Sequence, residues 1–426
     1  MPQTASAPQV EPRPLRIALL SYRSNPFVGG QGIYIHYLSQ ALSRLGHQVD
    51  VLSGPPYPKL SDGVRLIKIP SLDLYEHYPR HIRALRWKHL KSLSDTFEWW
   101  SMATGGFAEP YTFGRRIVKY LEAHRQEYDI VHDNQSLGYG LLKLQKMGVP
   151  VLATIHHPIT RDRQLALHET SDWGARLLVK RWYSFLRMQI KVAQKLDHVI
   201  TVSECSRADI AKEFGRPAER TEVISNGIDT DLFAPSDKNN TVPFRLITTS
   251  SSDQALKGVP VLLHALKDLR QHFPDVHLRI IGKLSPNGSN EKLLKQLGLE
   301  DVVTFKHGIG HQQLTREYAK AAVAVCPSLY EGFGLPAGEA MSCGVPLVSS
   351  DGGALAEVVG DAGLLVPAGD STAMADAISQ IFNDETLAKR LSKLGRDRIQ
   401  SKFCWQRVAS SLTEFYRVLL QQQLTK

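Results

Sequence analysis

Two glutamates, Glu331 and Glu339, stand eight residues apart with a glycine-rich stretch between them. The stretch follows a short apolar run, Val323–Cys326, which is typical of a buried parallel strand. Pro336 suits the first position of a helix and Gly344 suits its end. We therefore expect Glu331 in the loop beyond a strand and Glu339 in the first turn of the next helix.

The loop between these carboxylates is suited to an anion or a polyhydroxylated ligand. Gly332 and Gly334 leave the backbone N–H groups unshielded, and the dipole of the following helix adds partial positive charge. A nucleotide sugar fits such a loop, because one carboxylate would accept hydrogen bonds from hexose hydroxyls and the other from the ribose diol. Ordinary helix-start acids are the alternative interpretation.

The string Glu-Gly-Phe-Gly-Leu-Pro-Ala-Gly-Glu resembles the E-x7-E signature of family 4 of the retaining glycosyltransferases. The resemblance implies the GT-B fold, in which two Rossmann-like α/β domains face a cleft and a C-terminal helix crosses back to the N-terminal domain. It implies metal-independent transfer of a hexose with retention of configuration. In that reaction Glu331 orients the hexose and Glu339 holds the ribose. The backbone amides that also orient the hexose belong to Gly332, Phe333, Gly334 and Leu335.

A second glycine-rich turn, containing Gly29 and Gly30, follows the apolar run Leu15–Tyr22 and precedes a helical pattern. Strand, glycine turn and helix present backbone N–H groups to a phosphate. A simple tight turn explains the same residues, and the dinucleotide motif G-x-G-x-x-G is absent. The family resemblance implies that this loop approaches the donor diphosphate.

The expected phosphate clamp departs from the family pattern. Members carry an Arg five residues before a Lys-Gly pair, whereas here Lys257-Gly258 is preceded at that distance by Ser252. A departing diphosphate needs its charge neutralised. We therefore predict that Lys257 acts on the leaving group, and that the hydroxyls and amides of Ser250–Ser252, or another Arg, replace the missing cation.

His156 and His157 follow the apolar run Val149–Ile155. A metal site is disfavoured, because no Asp or Glu stands at metal-ligand spacing nearby and adjacent histidines point in different directions. A packed structural histidine and a cleft histidine both fit the pattern. The resemblance favours His156, at the strand end that faces the transferred sugar. The predicted catalytic residues are thus Glu331, His156 and Lys257, with no metal and no cofactor.

The chain has 426 residues, 42% of them apolar and 22% charged, which predicts a globular protein of two domains. No window approaches about 18 consecutive apolar residues, so no spanning helix is predicted. The four cysteines show no metal spacing and are expected to be free thiols in a reducing cytoplasm. Met1–Pro14 is predicted to be a disordered leader rather than a signal peptide.

Alternating strand and helix patterns predict two Rossmann-like domains joined by a polar, Pro-containing linker. A long basic helix is predicted over Arg176–Lys195, and Glu385–Leu424 is predicted to be helical throughout. The predicted segments are a leader at 1–14, an acceptor-side domain at 15–228, a linker at 229–243, a nucleotide-sugar-binding domain at 244–400, and a helix at 401–426 that packs back on the first domain.

A formal charge of +9 is concentrated in Arg80–Lys91 and Arg161–Lys195, where cations alternate with apolar and aromatic residues. We find no nucleic-acid-binding module. A solvated helix face is one interpretation, and docking on an anionic membrane or a lipid-linked acceptor is the other. The predicted location is the cytoplasm, peripheral to the inner face of the cell membrane.

The predicted function is transfer of a hexose from a nucleotide sugar, UDP-linked, to a lipid-linked or saccharide acceptor in glycolipid or cell-surface polysaccharide synthesis. A sugar-nucleotide epimerase and a phosphorylase on the same fold are alternatives. A non-catalytic two-domain sugar-binding protein is another.

Overall fold

The computed structural model describes residues 13–25, 30–77, 86–170, 172–236, 240–250 and 254–424. The chain divides into two compact units. The first unit contains the described parts of Met1–Ala153, Leu165–Asp197 and Thr413–Lys426, and the second contains Thr154–Gln164 and His198–Leu412.

The first sheet has seven strands in the order β3-β2-β1-β4-β5-β6-β7. Strand β1 pairs in parallel with β2 and β4, so that Ile17 lies opposite both Val49 and Ile130. These strands form because their apolar side chains are buried on both faces by helices. The strands are β1 (Arg16–Ser21), β2 (Gln48–Ser53), β3 (Arg65–Lys68), β4 (Ile130–Asn134), β5 (Val151–Ile155), β6 (His198–Thr201) and β7 (Thr221–Val223).

The second sheet has six strands in the order β10-β9-β8-β11-β12-β13, and its pairs are parallel. Its core contains buried Leu, Ile, Val and Met side chains from the strands and from the helices packed on them. The strands are β8 (Arg245–Thr249), β9 (His277–Ile281), β10 (Val303–Lys306), β11 (Val323–Cys326), β12 (Leu347–Ser350) and β13 (Leu364–Val366).

Helices connect the strands, as parallel pairing requires. Those that precede β8 are α1 (Gly30–Arg44), α2 (Leu93–Ala103), α3 (Glu109–His124), α4 (Tyr139–Lys146), α5 (Thr160–Glu169), α6 (Trp173–Trp182), α7 (Leu186–Lys195) and α8 (Glu204–Phe214). Those that follow it are α9 (Val259–His272), α10 (Ser289–Leu297), α11 (His311–Tyr318), α12 (Leu335–Ser342), α13 (Leu355–Val359), α14 (Ser371–Asn383), α15 (Glu385–Lys402) and α16 (Trp405–Leu424).

The prediction of one long helix over Arg176–Lys195 is wrong in one respect. A 3-10 turn separates α6 from α7. The ring of Phe107 packs against both Trp182 and Phe185, with centroids 5.2 and 5.5 Å away. The tighter turn places both rings on the same partner, and the helical pattern of the sequence carries no sign of this distant contact.

The segment Glu385–Leu424, predicted to be helical throughout, is interrupted at one point. Its break falls at Phe403 and Cys404, between α15 and α16. There the backbone pairs with that of Ile228, whose N–H donates to Phe403 O at 2.6 Å. A distant segment therefore supplies a main-chain partner at the break in place of the helix.

The end of α16 belongs to the first unit. Tyr416 is fully buried, and its hydroxyl lies 2.6 Å from His132 Nδ1. Thr413 Oγ1 lies 3.0 Å from His47 Nε2. The predicted return of the C-terminal helix to the N-terminal domain is thus confirmed.

The segment predicted as a linker begins with a packed turn. Phe233 is only 3% exposed, and its carbonyl accepts hydrogen bonds from Ser342 and from Arg396. Residues 237–239 lie outside the described part of the chain, and the segment boundaries predicted from the sequence stay predictions.

All four cysteines are free thiols, and three of them are buried. Among the described helices, none is long and apolar enough to cross a membrane.

Candidate active site

Glu331 lies in the loop that follows β11, as predicted. Its backbone pairs with a second loop that follows β12: its N–H donates to Gly352 O at 3.3 Å, and its carbonyl accepts from Ala354 N at 2.9 Å. Gly353 has a φ of +68°, and a Cβ there would lie 2.3 Å from Glu331 O. Only glycine fits this contact, so the Gly352-Gly353 turn is a supporting element that the sequence reasoning missed. Its signal was the pair of glycines shortly after the strand Leu347–Ser350.

The structure brings Lys257 and Glu331 together. Lys257 Nζ lies 2.7 Å from Glu331 Oε1, and the Ser328 hydroxyl donates to the same oxygen at 2.8 Å. The side chains of Lys257 and Glu331 are 23% and 14% exposed, so the pair is shielded from most of the solvent. Two of the predicted catalytic residues therefore share one charged cluster.

Close packing of two backbones holds this cluster in place. Gly258, next to Lys257, has a φ of +63°, and a Cβ on it would lie 1.9 Å from Pro327 O. On the other side of the contact, Leu329 N donates to Leu256 O at 2.8 Å. The lysine loop thus lies directly along the backbone that leads to Glu331.

Glu339 lies one residue further into its helix than the sequence predicted. Helix α12 starts at Leu335, with Gly334 as its N-cap at a φ of +98°, so Glu339 is not in the first turn. Pro336 therefore occupies the second position, where its missing N–H is also tolerated because first-turn N–H groups have no partner within the helix.

Glu339 is partly buried. The hydroxyl of Tyr318 donates to Glu339 Oε2 at 3.4 Å, and burial raises the pKa of Glu339 to about 8. A carboxyl with such a pKa is ready to exchange a proton near neutral pH when a ligand replaces its surroundings.

His156 follows β5, and its main chain approaches the glycine loop. Ser206 Oγ lies 3.0 Å from His156 O and 3.2 Å from Gly332 O, and a Cβ on Gly332 would lie 3.3 Å from His156 O. Burial, with a smaller contribution from His157, lowers the pKa of His156 to about 3. The imidazole is therefore neutral near pH 7.

Some of the remaining predicted site residues lie outside the described part of the chain, and the others lie within it. Gly29 and Ser252 lie outside the described residues. Gly30 starts α1, and a Cβ on it would have no neighbour within 4 Å among the described residues. Phe333 is 5% exposed and packs against Phe403, so its backbone rather than its ring is available to a ligand. Ser250 is buried, and its hydroxyl has no hydrogen-bond partner among the described residues.

Within the described ranges, no three His, Cys, Asp or Glu side chains are grouped so that they could hold a metal ion. The positive charge in this part of the chain comes instead from Lys257, which lies beside Glu331 at the start of the glycine loop. Such an arrangement suits a phosphorylated ligand.

Two family models match the chain. The model described as Glycosyltransferase Family 4 covers residues 28–232, and the model described as Glycosyl transferases group 1 covers residues 234–398. Between them they span the strands from β2 to β13.

Similar proteins match nearly the whole length of this chain. An "MMP alpha-(1->4)-mannosyltransferase" of Mycolicibacterium hassiacum is 44% identical over 94% of this chain and 98% of its own length. A glycogen synthase of Mycobacterium tuberculosis is 30% identical over 94% of both chains. The solved structure of a sucrose-phosphate synthase from Thermosynechococcus elongatus superposes with a TM-score of 0.69 and 26% identity, over 96% of this chain and 100% of that one.

The parallel sheets and these matches confirm the predicted GT-B fold class and the resemblance drawn from the E-x7-E signature. The chain belongs to glycosyltransferase family 4, and it is a glycosyltransferase.

Proposed function

We propose that this enzyme transfers a hexosyl group from a nucleoside diphosphate sugar to a hydroxyl of a saccharide or lipid-linked acceptor, with retention and without metal or cofactor. Mannose is the first hexose to test. The observation that carries the proposal is the Lys257–Glu331 pair, 2.7 Å apart at the start of the glycine loop. It places a cation for the diphosphate next to a carboxylate for the sugar.

Lys257 would neutralise the leaving group. An ammonium group has three N–H donors, and in this structure one of them is directed to Glu331 Oε1. The others would bind diphosphate oxygens, whose charge increases as the glycosidic bond breaks. This contact strengthens in the transition state and therefore accelerates the reaction.

Glu331 and Glu339 would bind the two ends of the donor. Glu331 would accept hydrogen bonds from hexose hydroxyls, while the amides of residues 332–335 bind the same sugar. Glu339 would accept from the ribose diol in its ionised form. Binding would then lower its pKa from about 8, because hydrogen bonds to a carboxylate favour the charged form.

The low pKa of His156 supports a reaction without a protein base. An imidazole with a pKa of about 3 is a weak base, although it can exchange hydrogen bonds with a sugar hydroxyl. In the proposed step the acceptor hydroxyl attacks the anomeric carbon on the face that the diphosphate leaves. The anomeric C–O bond to phosphate breaks, the new C–O bond forms, and the hydroxyl proton passes to a phosphate oxygen.

The name of the relative supports retention and the choice of mannose. That protein is called an alpha-(1->4)-mannosyltransferase and shares 44% of its residues with this chain. Common hexose donors such as GDP-mannose and UDP-glucose carry the sugar in α linkage. An α product made from an α donor retains its configuration.

A surface of the first unit supports docking on an anionic membrane. Helix α6 has no buried residue, and its Trp173 and Leu178 side chains are 76% and 60% exposed. Arg181 connects this helix to α2, because it donates to Thr104 Oγ1 at 2.9 Å and lies 5.2 Å from the ring centre of the half-exposed Trp100. We name Trp100, Trp173, Leu178, Lys180 and Arg181 the tryptophan patch.

Cations beside exposed tryptophan are the combination that binds an anionic lipid interface. Trp87, 84% exposed, adds a further aromatic side chain from the basic stretch Arg80–Lys91, of which residues 80–85 lie outside the described part. We propose that the enzyme works at the cytoplasmic face of the membrane.

A donor screen tests the function. The enzyme is incubated with UDP-, GDP- or ADP-linked hexoses, with and without saccharide acceptors, in the presence of EDTA. Release of nucleoside diphosphate only when acceptor is present, with a product of the donor's own anomer by early NMR, supports the proposal. An inverted product, activity restored by Mn²⁺ after EDTA, or epimerised donor without transfer contradicts it.

A further inference from the structure

Tyr330, the residue before Glu331, is held by a distant element of the same unit. Its hydroxyl donates to Asp209 Oδ2 at 2.6 Å, and the guanidinium carbon of Arg161 lies 4.2 Å from the centre of its ring. Arg161 also forms an ion pair with Asp209. One ion pair therefore holds the tyrosine at two places. Asp209 of α8 accepts from its hydroxyl, and Arg161 of α5 lies on the face of its ring.

Asp209 depends on these partners. It is only 7% exposed, and a buried carboxylate is stable when its charge is balanced and its oxygens accept hydrogen bonds. Burial and the neighbouring carboxylate raise the pKa of Tyr330. The hydroxyl therefore stays protonated and remains a donor throughout the physiological pH range.

The same face of α8 holds the main chain of the glycine loop. Ser203, the N-cap of α8, donates to Gly332 O at 2.9 Å, and the Ser206 hydroxyl lies 3.2 Å from the same oxygen. Ser203, Ser206 and Asp209 follow one another at intervals of three residues, which places them on one side of the helix. Three side chains of α8 thus contact residues on both sides of Glu331.

Helix α8 is itself fixed from the other side of the loop. The carboxylate of Glu357, in α13, accepts from the backbone N–H groups of Glu204 and Cys205 at 2.8 and 2.7 Å. First-turn N–H groups otherwise lack a partner within the helix. Because α13 follows the Gly352-Gly353 turn that pairs with Glu331, the loop lies between two elements that are bonded to each other.

We propose that Tyr330 is a positioning residue, which acts through Asp209 and Arg161 to hold Glu331 and the amides of residues 332–335 where the transferred hexose needs them. This inference rests on the proposed donor role of that loop. Lys257 and Glu339 bind the diphosphate and the ribose from other elements. Loss of the Tyr330 contact is therefore expected to slow the chemical step more than it weakens nucleotide binding.

Tyr330→Phe tests the contact, because it removes one oxygen and keeps the ring beside Arg161. The matched control is Tyr128→Phe in the first unit, where another buried tyrosine hydroxyl donates to a carboxylate, Asp50 Oδ2, at 2.8 Å. Asp209→Asn keeps an oxygen that can accept from Tyr330, whereas Asp209→Leu removes it.

We expect Tyr330→Phe and Asp209→Leu to lower kcat by about tenfold or more, since a misplaced reacting group is costly. The donor KM and the Kd for nucleoside diphosphate should change by less than about twofold. Because a loss of folded protein would also lower the apparent kcat, kcat is calculated per nucleoside diphosphate binding site measured in the same sample. Asp209→Asn should retain most of the wild-type kcat, because its side-chain oxygen can still accept from Tyr330. Tyr128→Phe should lower Tm by a similar amount and leave kcat unchanged.

Hydrogen exchange gives a result that does not depend on activity. Backbone amides in a peptide covering residues 328–335 should exchange faster in Tyr330→Phe than in wild type or Tyr128→Phe. If wild type transfers no hexose from any donor, the proposed function fails, and exchange still decides whether Tyr330 positions the loop. Wild-type exchange or wild-type kcat in Tyr330→Phe would overturn the inference. Ser203→Ala, which removes a donor to Gly332 O, is the milder variant to measure if Tyr330→Phe does not fold.

Discussion

Lys257 Nζ lies 2.7 Å from Glu331 Oε1, although 74 residues separate them in the sequence. The two residues follow neighbouring strands, β8 and β11, so the carboxyl ends of a parallel sheet bring them to one edge. An ion pair that is mostly shielded contributes little net stability, since desolvation offsets the attraction. The importance of this ion pair is that it places a cation next to a carboxylate that can accept hydrogen bonds.

Lys257→Ala should raise the donor KM and lower kcat by about 100-fold, because the missing charge acts on a leaving group that becomes more anionic in the transition state. Steady-state kinetics with donor varied measure both constants. Lys306→Ala is the control, since Lys306 Nζ also pairs with a shielded glutamate, Glu317, at 2.9 Å. Wild-type kinetics for Lys257→Ala would show that the clamp is elsewhere.

Glu339→Gln should weaken donor binding by about 1–3 kcal/mol, because charge-assisted hydrogen bonds to the ribose diol become neutral ones. Calorimetric titration with the donor's free nucleoside diphosphate measures the difference. The 2′-deoxyribose form should bind the wild type more weakly and the variant about equally. Equal binding of both forms to the wild type would contradict the ribose role.

The pH dependence of binding gives a separate test of Glu339. Below its pKa of about 8 the free carboxyl is protonated, so a ligand that selects the ionised form must displace the proton. Donor affinity should therefore rise as pH increases from 6 to about 8 and level off above it, by at most about tenfold per pH unit. Glu339→Gln should lack this rise. A wild-type affinity that is flat across the range would show that binding does not require ionisation.

The same pKa predicts an effect on stability. Since the folded-state pKa lies above the ordinary value of 4.5, the unfolded state binds fewer protons between about pH 4.5 and 8. Stability contributed at Glu339 is then lost as pH rises through that window. Urea unfolding of wild type and Glu339→Gln should accordingly diverge with rising pH, with the variant becoming relatively more stable.

Gly258→Ala should disrupt the active site, and Gly298→Ala should not. Both glycines have left-handed backbones, with φ of +63° and +65°, so alanine costs about 1–2 kcal/mol of strain at either position. A Cβ on Gly258 would also lie 1.9 Å from Pro327 O, whereas nothing lies within 4 Å of one on Gly298. Thermal unfolding and kcat should both fall much further for Gly258→Ala. Equal losses in the two variants would mean that strain alone matters.

Local patterns in the sequence predict the elements of this fold well. Apolar runs mark the strands, and the spacing of glycine, proline and glutamate predicts the loop after β11. The start of α12 was displaced by one residue because Pro336 is tolerated at more than one position of a first turn. That small difference moved Glu339 out of the turn in which it was expected.

The distant supports of the site carry no such local signal. Tyr330 and Asp209 are 121 residues apart, and nothing in the pattern of α8 indicates that one face of it contacts a glycine loop. The break between α15 and α16 likewise depends on Ile228, far earlier in the chain. Contacts of this kind are fixed by packing of the whole unit, so the structure is needed to find them.

The enzyme should sediment with anionic liposomes at low salt and be released at about 0.5 M salt, because the Debye length shortens as salt increases. Each Lys or Arg near an anionic surface contributes about 1 kcal/mol, so several can hold the protein reversibly. Neutral liposomes should retain much less.

Two sets of substitutions separate charge from insertion of the aromatic rings. Changing Arg83, Arg86 and Lys88 to Glu should abolish binding. Changing Lys389, Arg390 and Lys393 of α15 to Glu should not, although these three side chains are exposed. Trp173→Ser with Leu178→Ser should weaken binding at low salt without changing any charge, since burial of the apolar part of the tryptophan patch adds to the attraction of the cations. Equal sedimentation with anionic and neutral liposomes, or equal losses in both charge variants, would leave a soluble saccharide as the better acceptor.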